Sequence, residues 1–200
     1  MWRLLLGGGL YTSPLPPPET EPSLRILDLG TGTGIWAIDM ADVFPRAQVY
    51  GVDLSPIQPD WVPQNCRFHV DDYEDEWTYR ADEKFDYIHG RGLSGTSGDW
   101  AKFYRQAMKN LKPGGWMEMQ ECDAWVFSDD DSFDRAEWTK EWVEKLDGAS
   151  KLFGKQINVA KHHRQWMVDA GFEDVKESQY RVSPPSLPLF QFPSAPFPLS

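Results

Sequence analysis

Basic residues are scarce in this 200-residue chain. It contains 20 lysines and arginines against 31 aspartates and glutamates, which gives a formal net charge of -11 at pH 7. Proteins that bind a nucleic-acid backbone neutralise its phosphates with a stripe of basic side chains, and this sequence has no such stripe. The composition therefore argues against direct nucleic-acid binding and favours small molecules and proteins as partners.

Cysteines and long apolar runs are also scarce. Cys66 and Cys122 form neither a C-x-x-C pair nor a disulfide framework, which predicts a reducing compartment and no structural zinc. His162 and His163 point to different sides of their predicted helix, so we predict no metal site. No run spans a bilayer, and residues 1–10 lack a signal-peptide pattern. We therefore expect an intracellular protein, in the cytoplasm or nucleus, with no membrane contact.

The chain does contain one dense glycine cluster. Residues 26–29 predict a short buried strand, and Gly30, Gly32 and Gly34 follow it at every second position. These glycines let the backbone turn tightly and expose its amide groups to a ligand. Apolar residues then recur at helical spacing from residue 35, so the turn leads to a helix N-terminus. This is the layout of a nucleotide-binding strand-turn-helix unit.

The residue before the glycines indicates which nucleotide binds. Dinucleotide sites favour G-x-G-x-x-G, whereas here the spacing differs and Asp28 lies just ahead of the turn. A carboxylate repels a pyrophosphate but attracts the ammonium of S-adenosylmethionine, which carries a sulfonium and no phosphate. We therefore predict S-adenosylmethionine as the cofactor, with NAD as a weaker alternative. A P-loop is excluded because no Gly-Lys-Ser/Thr follows the glycines.

Two further strand ends provide candidate cofactor residues. The second predicted strand ends in Asp53, about 20 residues past the glycine turn, where a carboxylate accepts both ribose hydroxyls, and we include Leu54 in the same site. The third predicted strand is followed by Asp71 and Asp72, either of which is a candidate for binding the adenine amine. A solvated acidic loop explains this pair equally well.

His89 is the last candidate, at the end of the fourth predicted strand. A histidine at that edge of the sheet is placed to touch cofactor or substrate, although a lone histidine is more often a structural hydrogen-bonding residue. No residue stands out as a general base. We therefore leave the catalytic residues unassigned, because positioning alone can carry methyl transfer.

Alternating strands and helices predict an α/β fold, a Rossmann-like doubly wound, mostly parallel sheet with helices on both faces. The predicted strands are 25–29, 48–53, 66–70, 85–89 and 116–120, with a possible sixth at 173–182. We expect residues 1–23 to be an extension and proline-rich linker, with the core starting near Leu24. Residues 24–182 form the domain. Residues 183–200 are uncharged and rich in proline, so we expect a disordered tail and a missing final strand.

One helix is predicted from about residue 133 to residue 146. It places Trp138 and Trp142 one turn apart, where they either form an aromatic wall for a substrate or pack inward. We favour inward packing.

The motifs resemble those of class I S-adenosylmethionine-dependent methyltransferases, and more narrowly the fungal LaeA-like group. The resemblance covers about residues 24–122 and rests on the blocks Leu27-Asp-Leu-Gly-Thr-Gly-Thr-Gly-Ile-Trp-Ala-Ile-Asp-Met40, Asp53-Leu-Ser-Pro-Ile-Gln-Pro59, Trp61-Val-Pro63, Phe85-Asp-Tyr-Ile-His-Gly-Arg91, Leu111-Lys-Pro-Gly-Gly-Trp116 and Glu118 to Glu121. It implies that Asp28 and the three glycines line the methionyl end of the cofactor. It also implies that Asp53 holds the ribose, and that Asp71 and Asp72 flank the adenine.

The same resemblance implies two functions. Such relatives include regulators of fungal secondary metabolism, some of them nuclear and bound to velvet-type proteins, and candidates for the methylation of small metabolites. Our first hypothesis is methyl transfer to a small-molecule or protein acceptor. The second is a regulatory protein that keeps the cofactor pocket and acts through protein partners.

Overall fold

The computed structural model describes residues 2–126 and 128–180 and contains a five-stranded sheet in which every pair of neighbouring strands is parallel. The strands are β1 (Arg25–Leu29), β2 (Gln48–Asp53), β3 (Cys66–Val70), β4 (Phe85–Arg91) and β5 (Leu111–Gln120). Their order across the sheet is β3-β2-β1-β4-β5. The predicted fold class is confirmed, as are the bounds of the first three strands.

Six helices connect or flank the strands within the described residues. They are α1 (Trp2–Leu5), α2 (Ile35–Val43), α3 (Trp100–Asn110), α4 (Ser132–Arg135), α5 (Glu137–Phe153) and α6 (His163–Asp169). The Asp99 side chain caps α3 by accepting the backbone N–H of Lys102 at 2.8 Å. Gly154 ends α5 in the left-handed region, at φ 83°. None of these helices is long and apolar enough to cross a membrane.

The two faces of the sheet carry separate apolar clusters. On one face Ile26 and Val49 pack beneath α2 with Trp36. On the other face Leu27 and its neighbours pack with residues of α3 and α6. This alternation follows from the two-residue period of a strand, which sends successive side chains to opposite faces. Helices on both faces therefore cover the sheet, as the sequence predicted.

The segment before β1 also contributes to the core, which the sequence did not predict. Leu10 is only 7% exposed and packs in the cluster beneath α2. Its carbonyl oxygen accepts Trp36 Nε1 at 2.9 Å, and Glu118 accepts the backbone N–H groups of Thr12 and Ser13. These contacts to distant residues were not visible in local sequence. The domain limits at 24 and 182 stay predictions.

Three other local predictions were wrong. The fifth strand was predicted from residue 116, but β5 already begins at Leu111, with a register irregularity where the pairing passes from Phe85↔Leu111 to Tyr87↔Trp116. The predicted helix 133–146 is divided at Ala136 into α4 and α5. Residues 173–180 form no strand, and residues 181–200, including the predicted tail, lie outside the described residues.

The strand order creates a crevice at one edge of the sheet. From β1 the chain moves to β2 on one side, whereas β4 lies on the other side of β1. The loops after β1 and β4 therefore diverge, and such a switch point is where ligands bind in open α/β sheets. The glycine turn and the predicted acids lie at, or just after, the carboxyl ends of β1, β2 and β3.

Candidate functional site

The glycine turn between β1 and α2 has the backbone that the sequence predicted. Gly30, Gly32 and Gly34 have φ values of 60°, 57° and 78°, in the left-handed region that favours glycine. A Cβ atom on Gly30 would lie 2.4 Å from Leu93 Cδ2, and one on Gly34 would lie 2.3 Å from Phe68 Cζ. A Cβ atom on Gly32 would meet no described atom within 4 Å, so Gly32 borders open space.

Asp28 lies at the end of β1, just beneath this turn, and is only 3% exposed. Its Oδ2 accepts the hydroxyl of Thr31 at 2.5 Å, and its Oδ1 lies 2.7 Å from Nδ1 of His89. Both carboxylate oxygens are thus held by protein donors, as a buried carboxylate requires.

Asp53 joins the end of β2 to the glycine turn. Its Oδ2 accepts the backbone N–H of Gly32 at 2.8 Å, and its Oδ1 accepts the N–H of Ser55 at 2.9 Å. Leu54 is 66% exposed beside it. Gln58, which sequence reasoning missed, donates its side-chain amide to the carbonyl oxygen of Gly32 at 2.6 Å. Its only sequence signal was its place in the Leu-Ser-Pro-Ile-Gln-Pro block.

Asp71 and Asp72 follow β3 on the far side of Asp53. The backbone N–H of Asp71 donates to the carbonyl oxygen of Asp53 at 3.1 Å. The Asp72 carboxylate accepts the N–H of Glu74 at 2.8 Å and is half-buried, whereas Asp71 is exposed. The structure therefore brings both acids to the same edge as Asp53.

Tyr73 is a second residue that sequence reasoning missed. Its ring would lie 3.9 Å from a Cβ atom on Gly30, and its hydroxyl shares a hydrogen bond with Thr96. Burial raises the pKa of Tyr73 to about 12, so the phenol is neutral at physiological pH. Tyr73 lies within a run of acidic residues, and this local sequence gave no signal that its ring packs beside the glycine turn.

His89 lies behind Asp28 and is fully buried. Its ring stacks on the indole of Trp36, with centroids 3.7 Å apart and planes 5° apart. Its hydrogen bond to Asp28 is its link to the residues of the turn. His89 therefore does not lie at the open cleft, although its place near the end of β4 suggested that position.

The loop after β4 is held in place by a carboxylate at the end of β5. Glu121 accepts the backbone N–H groups of Leu93 and Ser94 at 2.6 and 3.2 Å, together with the Ser94 hydroxyl at 2.8 Å. Burial raises the pKa of Glu121, and these three donors act in the opposite direction. The loop places Leu93 against Gly30 and Gly90.

The charges at this edge select the type of ligand. Four aspartates lie there: Asp28 and Asp53 bond to residues of the glycine turn, and Asp71 and Asp72 follow β3 beside Asp53. Such a site disfavours phosphates and suits a cation with hydroxyl groups. In residues 2–126 and 128–180, no group of three or more His, Cys, Asp or Glu side chains could hold a metal ion.

A cavity of about 340 Å³ lies elsewhere. It is lined by residues at the amino ends of β2 and β3, including Arg46, Gln48 and Arg67. None of the predicted site residues borders it. We therefore place the candidate site at the opposite, carboxyl edge, where the glycine turn and the acids meet.

The chain is similar to known methyltransferases and to regulators of secondary metabolism. A family model described as a methyltransferase domain matches residues 10–177. "Methyltransferase pytC" of Aspergillus terreus is 36% identical over 189 residues, covering 94% of this chain and 56% of that protein. "Secondary metabolism regulator LAE1" of Cochliobolus heterostrophus is 40% identical over 178 residues, covering 88% and 57%. "Protein-methionine methyltransferase laeA" of Emericella nidulans is 37% identical over 153 residues, covering 76% and 40%.

The chain thus spans about half the length of the curated relatives it matches. Among solved structures, Haemonchus contortus phosphoethanolamine N-methyltransferase 2 in complex with S-adenosyl-L-methionine superposes with a TM-score of 0.55 at 20% identity. The superposition covers 76% of this chain and 34% of that one. At that identity the likeness establishes the α/β fold.

Proposed function

Since this chain belongs to the methyltransferase-domain family, we propose that it binds S-adenosylmethionine at the glycine turn and transfers the methyl group to an acceptor. The observation that carries the proposal is the buried Asp28 carboxylate beneath a turn whose central Gly32 borders open space. A fixed negative charge beside bare backbone fits a ligand with an ammonium group and no phosphate.

The proposed contacts follow the order of the strands. Asp28 and the three turn glycines, Gly30, Gly32 and Gly34, bind the methionyl end. Asp53 binds the ribose with Leu54 beside it. Asp71 and Asp72 bind the adenine. The approach of Asp71 to the backbone of Asp53 supports this order, because it places the two strand ends side by side.

When bound, S-adenosylmethionine would supply an activated methyl group on a sulfonium to an acceptor N, O or S atom, and its sulfur would leave as a neutral thioether. The residues described above bind and orient the reactants, and none of them is assigned as a general base. Positioning of this kind can account for a large part of the barrier reduction in a two-substrate reaction.

The acceptor region is proposed to lie beyond the loop after β4, toward α5. Trp138 and Trp142 are 84% and 60% exposed, so the expected inward packing was wrong. Their exposure supports a surface for an acceptor, either a small secondary metabolite or a protein. A link to secondary metabolism rests on the names of the relatives.

A second function is favoured by the same surface. Trp138, Trp142 and Leu146 lie four residues apart along α5 and are exposed, which is typical of a helix face that contacts another protein. In this alternative the chain acts as a regulatory protein through a partner, which the family resemblance suggests is of the velvet type. Methylation activity would then be weak or absent.

Calorimetric titration with S-adenosylmethionine and S-adenosylhomocysteine tests the proposed site. We expect Asp53→Asn to weaken the binding of both ligands by about tenfold or more, because the ribose hydroxyls lose a charged acceptor. Asp60→Asn, an exposed acid in the loop after β2, is the matched control and should bind normally. Absence of binding by the folded wild-type chain would refute the proposal.

Activity separates the two functions. If methyl transfer to protein or metabolite acceptors disappears in Asp53→Asn, the enzymatic function holds. If wild type binds cofactor but shows no transfer, and Trp138→Ala with Trp142→Ala abolishes a partner interaction that Asp53→Asn retains, the regulatory function is favoured.

A further inference from the structure

Asp28 and His89 are register partners on the neighbouring strands β1 and β4. Side chains at paired positions of adjacent strands lie on the same face of a sheet, here the face covered by α2. Nδ1 of His89 lies 2.7 Å from Oδ1 of Asp28. Because an ionised carboxylate only accepts hydrogen bonds, Nδ1 carries the proton and donates it.

The imidazole ring is fixed on its flat side as well. It stacks on Trp36 with a centroid separation of 3.7 Å, and the indole is itself anchored because Trp36 Nε1 donates to the carbonyl oxygen of Leu10 at 2.9 Å. His89 is fully buried, so its ring is packed by neighbouring atoms on every side. The direction of the Nδ1–H bond, and with it the orientation of Asp28, is therefore set by packing.

The other ring nitrogen indicates the charge of the histidine. Nε2 of His89 is buried and has no hydrogen-bond partner among the described residues. An imidazolium would bury a second N–H without an acceptor, which is costly, whereas a neutral ring leaves only a lone pair there. A neutral His89 donates to Asp28 without cancelling its negative charge.

We propose that His89 is a positioning residue that holds the Asp28 carboxylate oriented for the ammonium group of the bound cofactor, without touching the cofactor itself. This inference rests on the proposed function. It assigns His89 a role through Asp28, in place of the direct contact that its position in the sequence suggested.

The test compares two ligands in one titration series. S-adenosylhomocysteine carries the amino-acid ammonium, whereas 5′-methylthioadenosine shares its thioether, ribose and adenine but lacks the amino-acid part. His89→Phe keeps a ring against Trp36 but removes the hydrogen-bond donor. We expect this variant to weaken the binding of S-adenosylhomocysteine by about tenfold or more and the binding of 5′-methylthioadenosine by less than about twofold.

The chain offers a matched control in His163. This residue is also buried, shares a 2.6 Å hydrogen bond between Nδ1 and the Tyr104 hydroxyl, and has an unpartnered Nε2 among the described residues. It lies between α3 and α6, on the other face of the sheet. His163→Phe should therefore cost stability while leaving the affinity ratio of the two ligands unchanged.

His89→Asn provides the rescue, because its amide nitrogen occupies the position of Nδ1, whereas His89→Gln places its amide one bond further away. We expect Asn to restore much of the affinity ratio and Gln not to. If His89→Phe does not fold, the comparison of His89→Asn with His89→Gln tests the proposal. Equal affinity ratios of the two ligands in these variants would overturn it.

Failure of the inference is distinct from failure of the proposed function. If wild type binds both ligands and His89→Phe changes the two affinities by the same factor, or changes neither, His89 is only structural and the inference is wrong. If folded wild type binds neither ligand, the cofactor site itself is refuted and the inference fails with it.

Discussion

The carboxylate of Asp53 accepts the backbone N–H of Gly32 at 2.8 Å. Two residues that the sequence assigned to different parts of one ligand therefore also bond directly to each other. The bond ties the end of β2 to the centre of the glycine turn, and Gln58 adds a second tie from the loop that follows. A substitution in the turn is thus expected to affect binding and folding to different degrees, depending on which side its new atoms point.

Gly32→Ala and Gly34→Ala separate these effects. Both glycines have positive φ, so each alanine costs about 1–2 kcal/mol in backbone strain. Gly32→Ala adds its Cβ to open space, so we expect a folded protein that no longer binds S-adenosylmethionine. Gly34→Ala adds a Cβ 2.3 Å from the Phe68 ring, so we expect a much larger loss of stability. Thermal unfolding and calorimetric titration of both variants measure the difference.

An equal loss of stability in the two alanine variants would contradict this assignment of the open side of the turn. So would normal cofactor binding by Gly32→Ala.

Glu118 is predicted to hold residues 12–13 to the sheet in a pH-dependent way. Burial alone would raise the pKa of Glu118, but hydrogen bonds from Gln120, Thr12 and Ser13 hold it below its usual value near 4.5. The stabilisation is therefore complete above pH 4.5 and is lost as the pH falls through the lower folded-state pKa. We expect Glu118→Gln to lower the free energy of unfolding at pH 7 by about 1–3 kcal/mol.

Denaturant unfolding of wild type and Glu118→Gln at pH 7 and at acidic pH checks this prediction. The stability difference between the two proteins should shrink on acidification, and a constant difference would show that the charge of Glu118 is not what holds residues 12–13.

His163 is predicted to make the protein less stable in mild acid. Burial lowers the pKa of His163 from 6.5 to about 4, with a smaller contribution from His162. The unfolded chain binds this proton near pH 6.5 while the folded chain does not, so the stabilisation is complete above 6.5 and declines as the pH falls toward 4. The loss amounts to at most about 3 kcal/mol.

His163→Phe should reduce the pH dependence of unfolding between pH 6.5 and 4, whereas His162→Phe, at an exposed position, should retain most of it. If both variants keep the wild-type slope in urea unfolding experiments, the acid sensitivity arises from other groups.

The strands around the crevice could be predicted because their signals are local. Short runs of strand-forming residues ended by glycine or an acid marked β1, β2 and β3 with the bounds that the structure has. The left-handed glycines also needed no tertiary information, since their spacing already required a tight turn. Asp53 lies beside the glycine turn because the parallel strands β1 and β2 end at the same edge of the sheet.

Other features depended on contacts between residues far apart in sequence. The prolines and glycines of residues 1–23 made this segment resemble a linker, but Leu10 is buried through contacts with Trp36 and Gln120. Trp138 and Trp142 have the spacing of a core stripe, yet no described element covers them. The spacing of apolar residues along a helix does not by itself show which face of the helix other elements cover.

By itself, the sequence determined the α/β class, the glycine turn and the acids that border it, because each depends on residues adjacent along the chain or on the shared direction of parallel strands. Only the tertiary structure decided that His89 lies behind Asp28 on Trp36, and that Glu118 and Glu121 hold residues 12–13 and the loop after β4. These pairings are 27 to 106 residues apart along the chain. Packing and hydrogen-bond satisfaction select such distant partners, and the local sequence pattern carries no information about them.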